Sequence, residues 1–143
     1  MSQQHLVIVG GVGIGPAMIG MSIADVRGTM GEPTKQFRKA PNSKTLTDAY
    51  DQLGMHVYYD IADCVEFVEA FAVKGVEHLL DGYAVFETPA AAIMAFVSKK
   101  GAVRSEEGGT SLVAPTLGLA FWRADEEATT FDSVAVASPG YFA

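Results

Sequence analysis

Gly13 to Pro33, GIGPAMIGMSIADVRGTMGEP, reads as a short strand, a capped helix and a hard stop. Ser22 with Asp25 three residues on is a capping-box pattern, with the shorter Asp in place of the usual Glu. Ile23, Val26 and Met30 follow at spacings of three and four, which lines them on one helical face. Gly31 supplies the C-terminal stop and Pro33 prevents continuation. A helix of about two and a half turns is too short to stand alone in water, so its stripe must be laid on a sheet.

The glycines before that helix invite a nucleotide-site reading, which the spacing does not support. A dinucleotide fingerprint needs G-x-G-x-x-G between a strand and a helix. Counted from Gly11 the last position is Pro16, and counted from Gly13 it is Met18. A P-loop needs Gly-Lys-Ser/Thr, and no lysine precedes Lys35. The helix also begins well after the glycines. They are read as a turn out of the apolar strand Leu6–Val9.

From Thr34 the apolar period changes from helical to two. Thr34–Lys39, Thr45–Tyr50, His56–Tyr59 and Cys64–Phe71 read as strands, with turn residues between them. A second helix is expected at Ala90–Lys100, with Thr88 as N-cap, Pro89 at its first position and Gly101 as the stop. Strands are expected again at Ala102–Glu106, Thr110–Ala114, Leu119–Arg123 and Phe131–Ala137. The segment Leu53-Gly54-Met55-His56-Val57-Tyr58-Tyr59 recurs as Leu117-Gly118-Leu119-Ala120-Phe121-Trp122-Arg123. The expectation is a single α+β domain over 1–143. It comprises two similar helix-plus-antiparallel-sheet halves, about 13–72 and 76–138, with the helices packed on one face of the sheet.

Composition narrows the function. Of 143 residues, 49% are apolar and 19% charged, which fits a folded globular chain. A net charge of −7 argues against nucleic-acid binding and fits a basic protein partner. No apolar run approaches the roughly 20 residues that span a bilayer, and no signal segment is evident, so neither a membrane nor export is expected. Cys64 is the single cysteine, which fits a reducing, cytoplasmic setting. No cofactor and no metal ligand set is expected. His5, His56 and His78 lack metal-ligand spacing, and the acidic series Asp60, Asp63, Glu66 and Glu69 lacks the calcium-loop pattern.

The run Gly15-Pro16-Ala17-Met18-Ile19-Gly20-Met21-Ser22-Ile23-Ala24-Asp25-Val26, closed by Met30-Gly31-Glu32-Pro33, resembles a bacterial signature. It is similar to the I-x-L-G-M-S-x-x-E-V-x-x-x-L-G-x-P opening of BamE/SmpA-like and β-lactamase-inhibitor-like α+β units. The resemblance implies a helix on a small antiparallel sheet, a tandem arrangement and a sheet face that binds protein. Two departures limit what carries over: this chain has no lipid-bearing cysteine, and Cys64 has no disulfide partner.

Those readings converge on a cytoplasmic protein-binding module, of inhibitor or immunity type, with a basic toxin or enzyme as the partner its charge fits. If Met55, Val57 and Tyr59, with Leu119, Phe121 and Arg123 on the equivalent strand, face the helices, then His56, Tyr58, Ala120 and Trp122 face outward. Tyr and Trp anchor protein interfaces through large contact area with a polar handle. The candidate partner-binding residues are therefore Tyr58 and Trp122, with His56, Glu66 and Asp132 beside them. No catalytic group is assigned: His56 beside Tyr58 is the sole pair suited to acid–base work, and a structural histidine is the simpler account. The alternative is a small-molecule-binding protein or minor enzyme with a pocket near the Gly10–Gly15 loop.

Overall fold

A computed structural model describes residues 4–143 and folds them into two β-sheets flanked by two short helices. In chain order the elements begin with β1 (Gln4–Val9), β2 (Gly13–Ile14), β3 (Ala17–Met18), α1 (Ile23–Met30), β4 (Lys35–Phe37) and β5 (Thr47–Tyr50). There follow β6 (Met55–Tyr59), β7 (Val65–Phe71), β8 (Val76–Leu80), β9 (Tyr83–Ala84) and α2 (Ala90–Ser98). The chain closes with β10 (Arg104–Glu106), β11 (Ser111–Ala114), β12 (Leu119–Trp122) and β13 (Ser133–Ala137).

The larger sheet has eight antiparallel strands in the order β10-β11-β12-β13-β7-β6-β5-β4. It is formed by two four-stranded meanders joined where β13 pairs β7, with Val136 opposite Val68. The smaller sheet runs β3-β2-β1-β8-β9. Its centre is a parallel pair in which Leu6 lies opposite His78 and Ile8 opposite Leu80.

The α+β expectation, with helices as the layer covering the sheet, is overturned. The chain is mostly β, 39% strand against 19% helical. The physical reason lies in the small sheet, whose β2 and β3 lie against β7 at the centre of the large one. Ile14 and Ala17 are fully buried there, and Leu6, Ile8 and Leu80 extend the same core. The helices fill only the flanks. Helix α1 buries Val26 alone, and α2 buries Ala90, Ile93 and Val97. The parallel β1–β8 pair and the strands β8 and β9 are absent from the sequence-based expectation, which has one short strand where the β2–β3 hairpin stands.

Helix α1 has the expected ends. The Ser22 hydroxyl accepts the Asp25 N–H at 3.1 Å, and Gly31 takes the left-handed φ of 83° as C-cap. Helix α2 differs at its start. Pro89 occupies the cap, and the Thr88 hydroxyl instead donates to the Ala84 carbonyl at 2.7 Å. What pins α1 to the large sheet is an ion pair that local patterning does not reveal. Asp48 on β5 is fully buried and receives Arg27 through Nε at 3.1 Å and Nη2 at 2.9 Å. Gln36 Nε2 and the Tyr59 hydroxyl complete its shell at 3.0 and 2.9 Å. Tyr50 adds a bond from its hydroxyl to the Gly31 carbonyl, satisfying a group the helix end leaves free. Among the described residues no helix is long and apolar enough to cross a membrane.

Candidate functional site

Strand alternation gives the large sheet an inner face, which meets the small sheet, and an outer face. In β6 the inner residues Met55, Val57 and Tyr59 are buried, whereas His56 and Tyr58 are half-buried on the outer face. In β12 Leu119 and Phe121 are buried, Ala120 is half-buried and Trp122 is 44% exposed. Beyond Trp122 the strand ends and Arg123 enters a loop, where its guanidinium donates to the Gly109 and Ala128 carbonyls.

A β-bulge shapes this face. Tyr58 pairs with Phe67 and Tyr59 with Val65, so Glu66 is the extra residue. Strict alternation would put Val65 and Phe67 on one side. The bulge sends Val65 into the core and leaves Phe67 outside, directly across from Tyr58.

The result is an aromatic cluster on β4, β6 and β7. The Tyr58 and Phe67 rings meet at 5.1 Å and 79°, and His56 lies 5.1 Å from Phe37 and 4.8 Å from Phe71. Such edge-to-face pairs are the favoured arrangement for aromatic quadrupoles. Glu69 sits among them, accepting the Tyr58 hydroxyl at 3.3 Å, with His56 Nδ1 3.8 Å away. Burial, reinforced by the Glu69 carboxylate, raises the Tyr58 pKa well above the ordinary phenol value, so the ring stays neutral and acts as a donor. The Lys39 ammonium lies over both Tyr58 and Phe67, 5.1 and 5.0 Å from their centroids. Tyr141 and Phe142 fold back onto Phe67 at 5.6 and 5.9 Å.

The five sequence-derived candidates fall into two groups. Tyr58, His56 and Glu66 belong to the aromatic end. Trp122 and Asp132 lie at the other end, where the Asp132 N–H donates to the Trp122 carbonyl and its carboxylate accepts the Ala124 N–H at 2.7 Å. Tyr58 and Trp122 are separated by three strand spacings and four residues of strand, about 20 Å by ordinary sheet geometry. Phe37, Phe67, Phe71, Glu69 and Lys39 are not among the sequence-derived candidates. The period-two pattern of Cys64–Phe71 carries Phe67, Glu69 and Phe71 on one side and is the signal available for three of them.

Other groups make local structural contacts, and a cleft of about 270 Å³ lined by Gly10, Leu80, Phe96, Leu117 and Pro139 borders the Gly10–Gly15 loop. The Gly10–Gly15 loop is a tight hairpin turn, with the Val12 N–H bonded to the Val9 carbonyl and the Gly15 N–H to that of Val7. Gly13 pairs with Met18 so closely that a Cβ would overlap the Ala17 carbonyl. These glycines permit close backbone approach, and two of the loop's amides are committed to it. His78 is buried, its Nε2 2.9 Å from the Leu53 carbonyl, and desolvation lowers its pKa and keeps the ring neutral. Among the described residues no group of three or more His, Cys, Asp or Glu side chains is placed to hold a metal ion. No protein-family model, curated protein or solved structure matches the chain.

Proposed function

We propose that the chain is a protein-binding module of inhibitor or immunity type that captures a basic protein partner on the outer face of its large sheet. The observation that carries this reading is Trp122, the single tryptophan, left 44% exposed on the same face as the Tyr58 cluster. Large amphipathic rings exposed on a flat sheet face are the residue types that dominate interface energetics. The net charge of −7 favours a basic partner and speeds its encounter. The unpaired Cys64 fits a cytoplasmic setting. The resemblance of Gly15–Pro33 to inhibitor-type units points the same way.

Co-expression of the tagged chain with the products of adjacent genes tests the proposal. The expected result is a stoichiometric complex with a basic protein. That complex should be lost in Tyr58→Ala/Trp122→Ala and weakened in Trp122→Ala alone, whose exposed ring can go with the thermal midpoint close to the parent's. Undiminished capture by the double variant would remove the outer face from the explanation.

A further inference from the structure

Lys39 has an unusual position for a surface lysine. Among the described residues no carboxylate lies within ion-pairing distance of it. Its ammonium instead sits in the corner between two rings set at 79°, nearly equidistant from both. The corner borders a cleft of about 390 Å³ whose lining includes Lys39, Lys44, Tyr58, Asp60 and Glu66. We propose that this corner is a receptor for a lysine side chain presented by the protein partner, and that Lys39 occupies it in the free protein. The inference rests on the reading of the outer face as a protein-binding surface and names the chemistry that surface selects.

Three features favour an ammonium ligand. The faces of both rings are electron-rich, and a cation within about 6 Å of the centroid is attracted to each. The Tyr58 hydroxyl donates to the Glu69 carboxylate, which pushes electron density into the ring and strengthens its face. Glu66, projecting from the bulge, and Asp60 add negative potential in the same cleft. The internal occupant is also weakly held. A cation–π contact at an exposed site changes an equilibrium constant by about two- to five-fold. An incoming lysine, supported by the rest of an interface, can therefore displace Lys39, which is itself exposed.

The probe is the blocked tripeptide acetyl-Gly-Lys-Gly-amide, with its norleucine counterpart as the uncharged isostere. It is titrated at constant ionic strength into protein whose aromatic rings are followed by NMR. The lysine peptide is expected to shift the Tyr58 and Phe67 ring signals, and the norleucine peptide is not. Lys39→Gln should tighten binding about two- to five-fold, and Phe67→Leu should weaken it by a similar factor. Lys44→Gln makes the same charge change in the same cleft without a ring contact, so it should gain less. An equal gain in Lys44→Gln, or no gain in Lys39→Gln, would overturn the proposal. Lys39→Gln alters an exposed side chain, so the test survives even if Phe67→Leu loses the fold. Unresponsive rings combined with partner capture that still depends on Tyr58 and Trp122 would sink the lysine corner and leave the binding module standing. Responsive rings with capture unaffected by those two residues would leave the corner able to take a lysine but overturn its use by the partner.

Discussion

Arg27→Met tests how the first helix is held to the sheet. Asp48 is fully buried and accepts four hydrogen bonds, two of them from the Arg27 guanidinium. Methionine keeps much of the aliphatic volume but removes the countercharge and both charged donors. The Gln36 amide and the Tyr59 hydroxyl remain, and neither carries charge. Breaking a buried ion pair by removing one partner costs about 3–5 kcal/mol. The Arg27 side chain is 28% exposed, so water can replace part of its contribution. The low end of the range, about 3 kcal/mol, is therefore expected. For a domain of this size that corresponds to a drop of roughly 10 °C in thermal midpoint. Urea and thermal unfolding followed by far-UV circular dichroism give both quantities. Adding Asp48→Asn to the variant removes the stranded charge and should recover about half of the loss. A loss under about 1 kcal/mol at unchanged urea dependence, or no recovery once Asp48→Asn is added, would refute the assignment of α1 anchoring to this pair.

Other outcomes follow from single sites. Gly54 and Gly118 each end a short 3₁₀ turn with φ of 64°, and a Cβ would overlap the Phe71 or Ala137 carbonyl. Gly54→Ala and Gly118→Ala should each cost more than the about 1–2 kcal/mol of left-handed backbone. Gly20→Ala, with open space around it, should stay within that range, as urea titrations would measure. His78 has a folded pKa below its ordinary 6.5 because it is buried, so the unfolded chain binds the extra proton first. Its stabilisation is complete above pH 6.5 and declines as the pH falls toward the folded-state value, by up to about 1.4 kcal/mol per unit. Denaturant titrations between pH 7.5 and 5.5 should show that slope, and it should shrink in His78→Gln. The exposed Trp122 should emit at long wavelength and be quenched readily by acrylamide; a bound partner that covers it should shift the emission to the blue.

What was legible in the sequence was local. Ser22, Asp25 and Gly31 announce α1 because caps act within one turn of the chain. The meander strands show themselves through period-two alternation, as in Met55–Tyr59. Apart from Leu6–Val9 in β1, the small sheet does neither. β2 and β3 are two residues each, too short for any period, and in β8 one inward-facing residue is His78, which interrupts the apolar alternation. The parallel pairing of Gln4–Ile8 with Val76–Leu80 joins segments far apart in the chain, and no turn residue marks it. Without that sheet, the helices are the only layer that the local pattern offers to cover the large one. The candidate site was half legible for a related reason: alternation places Tyr58 and Trp122 outward, while a one-residue bulge decides that Phe67 joins Tyr58.

The outer face is uneven, and that unevenness makes a final prediction about how its two ends act. Around Tyr58 the outward positions carry Phe37, His56 and Phe67, whereas toward Trp122 they carry Ser111, Val113, Ala120, Ser133, Ala135 and Ala137, with Phe71 level with Trp122 two strands away. Ala135 and Ala137 are buried although they point outward, and the returning Tyr141 and Phe142 lie against Phe67 beside Ala137. Among the described residues Trp122 makes no aromatic contact with the Tyr58 cluster, and about 20 Å separates the two rings. A standard interface of about 800 Å² per partner is wide enough to cover both. Two anchors so far apart should contribute independently. In a double-mutant cycle, the binding losses of Tyr58→Ala and Trp122→Ala, measured by calorimetry against the captured partner, should add to within about 0.5 kcal/mol. A coupling above about 1 kcal/mol would mean that the rings are linked through the returning Tyr141–Phe142 segment or through a rearranged sheet. The rigid two-anchor surface would then have to be abandoned.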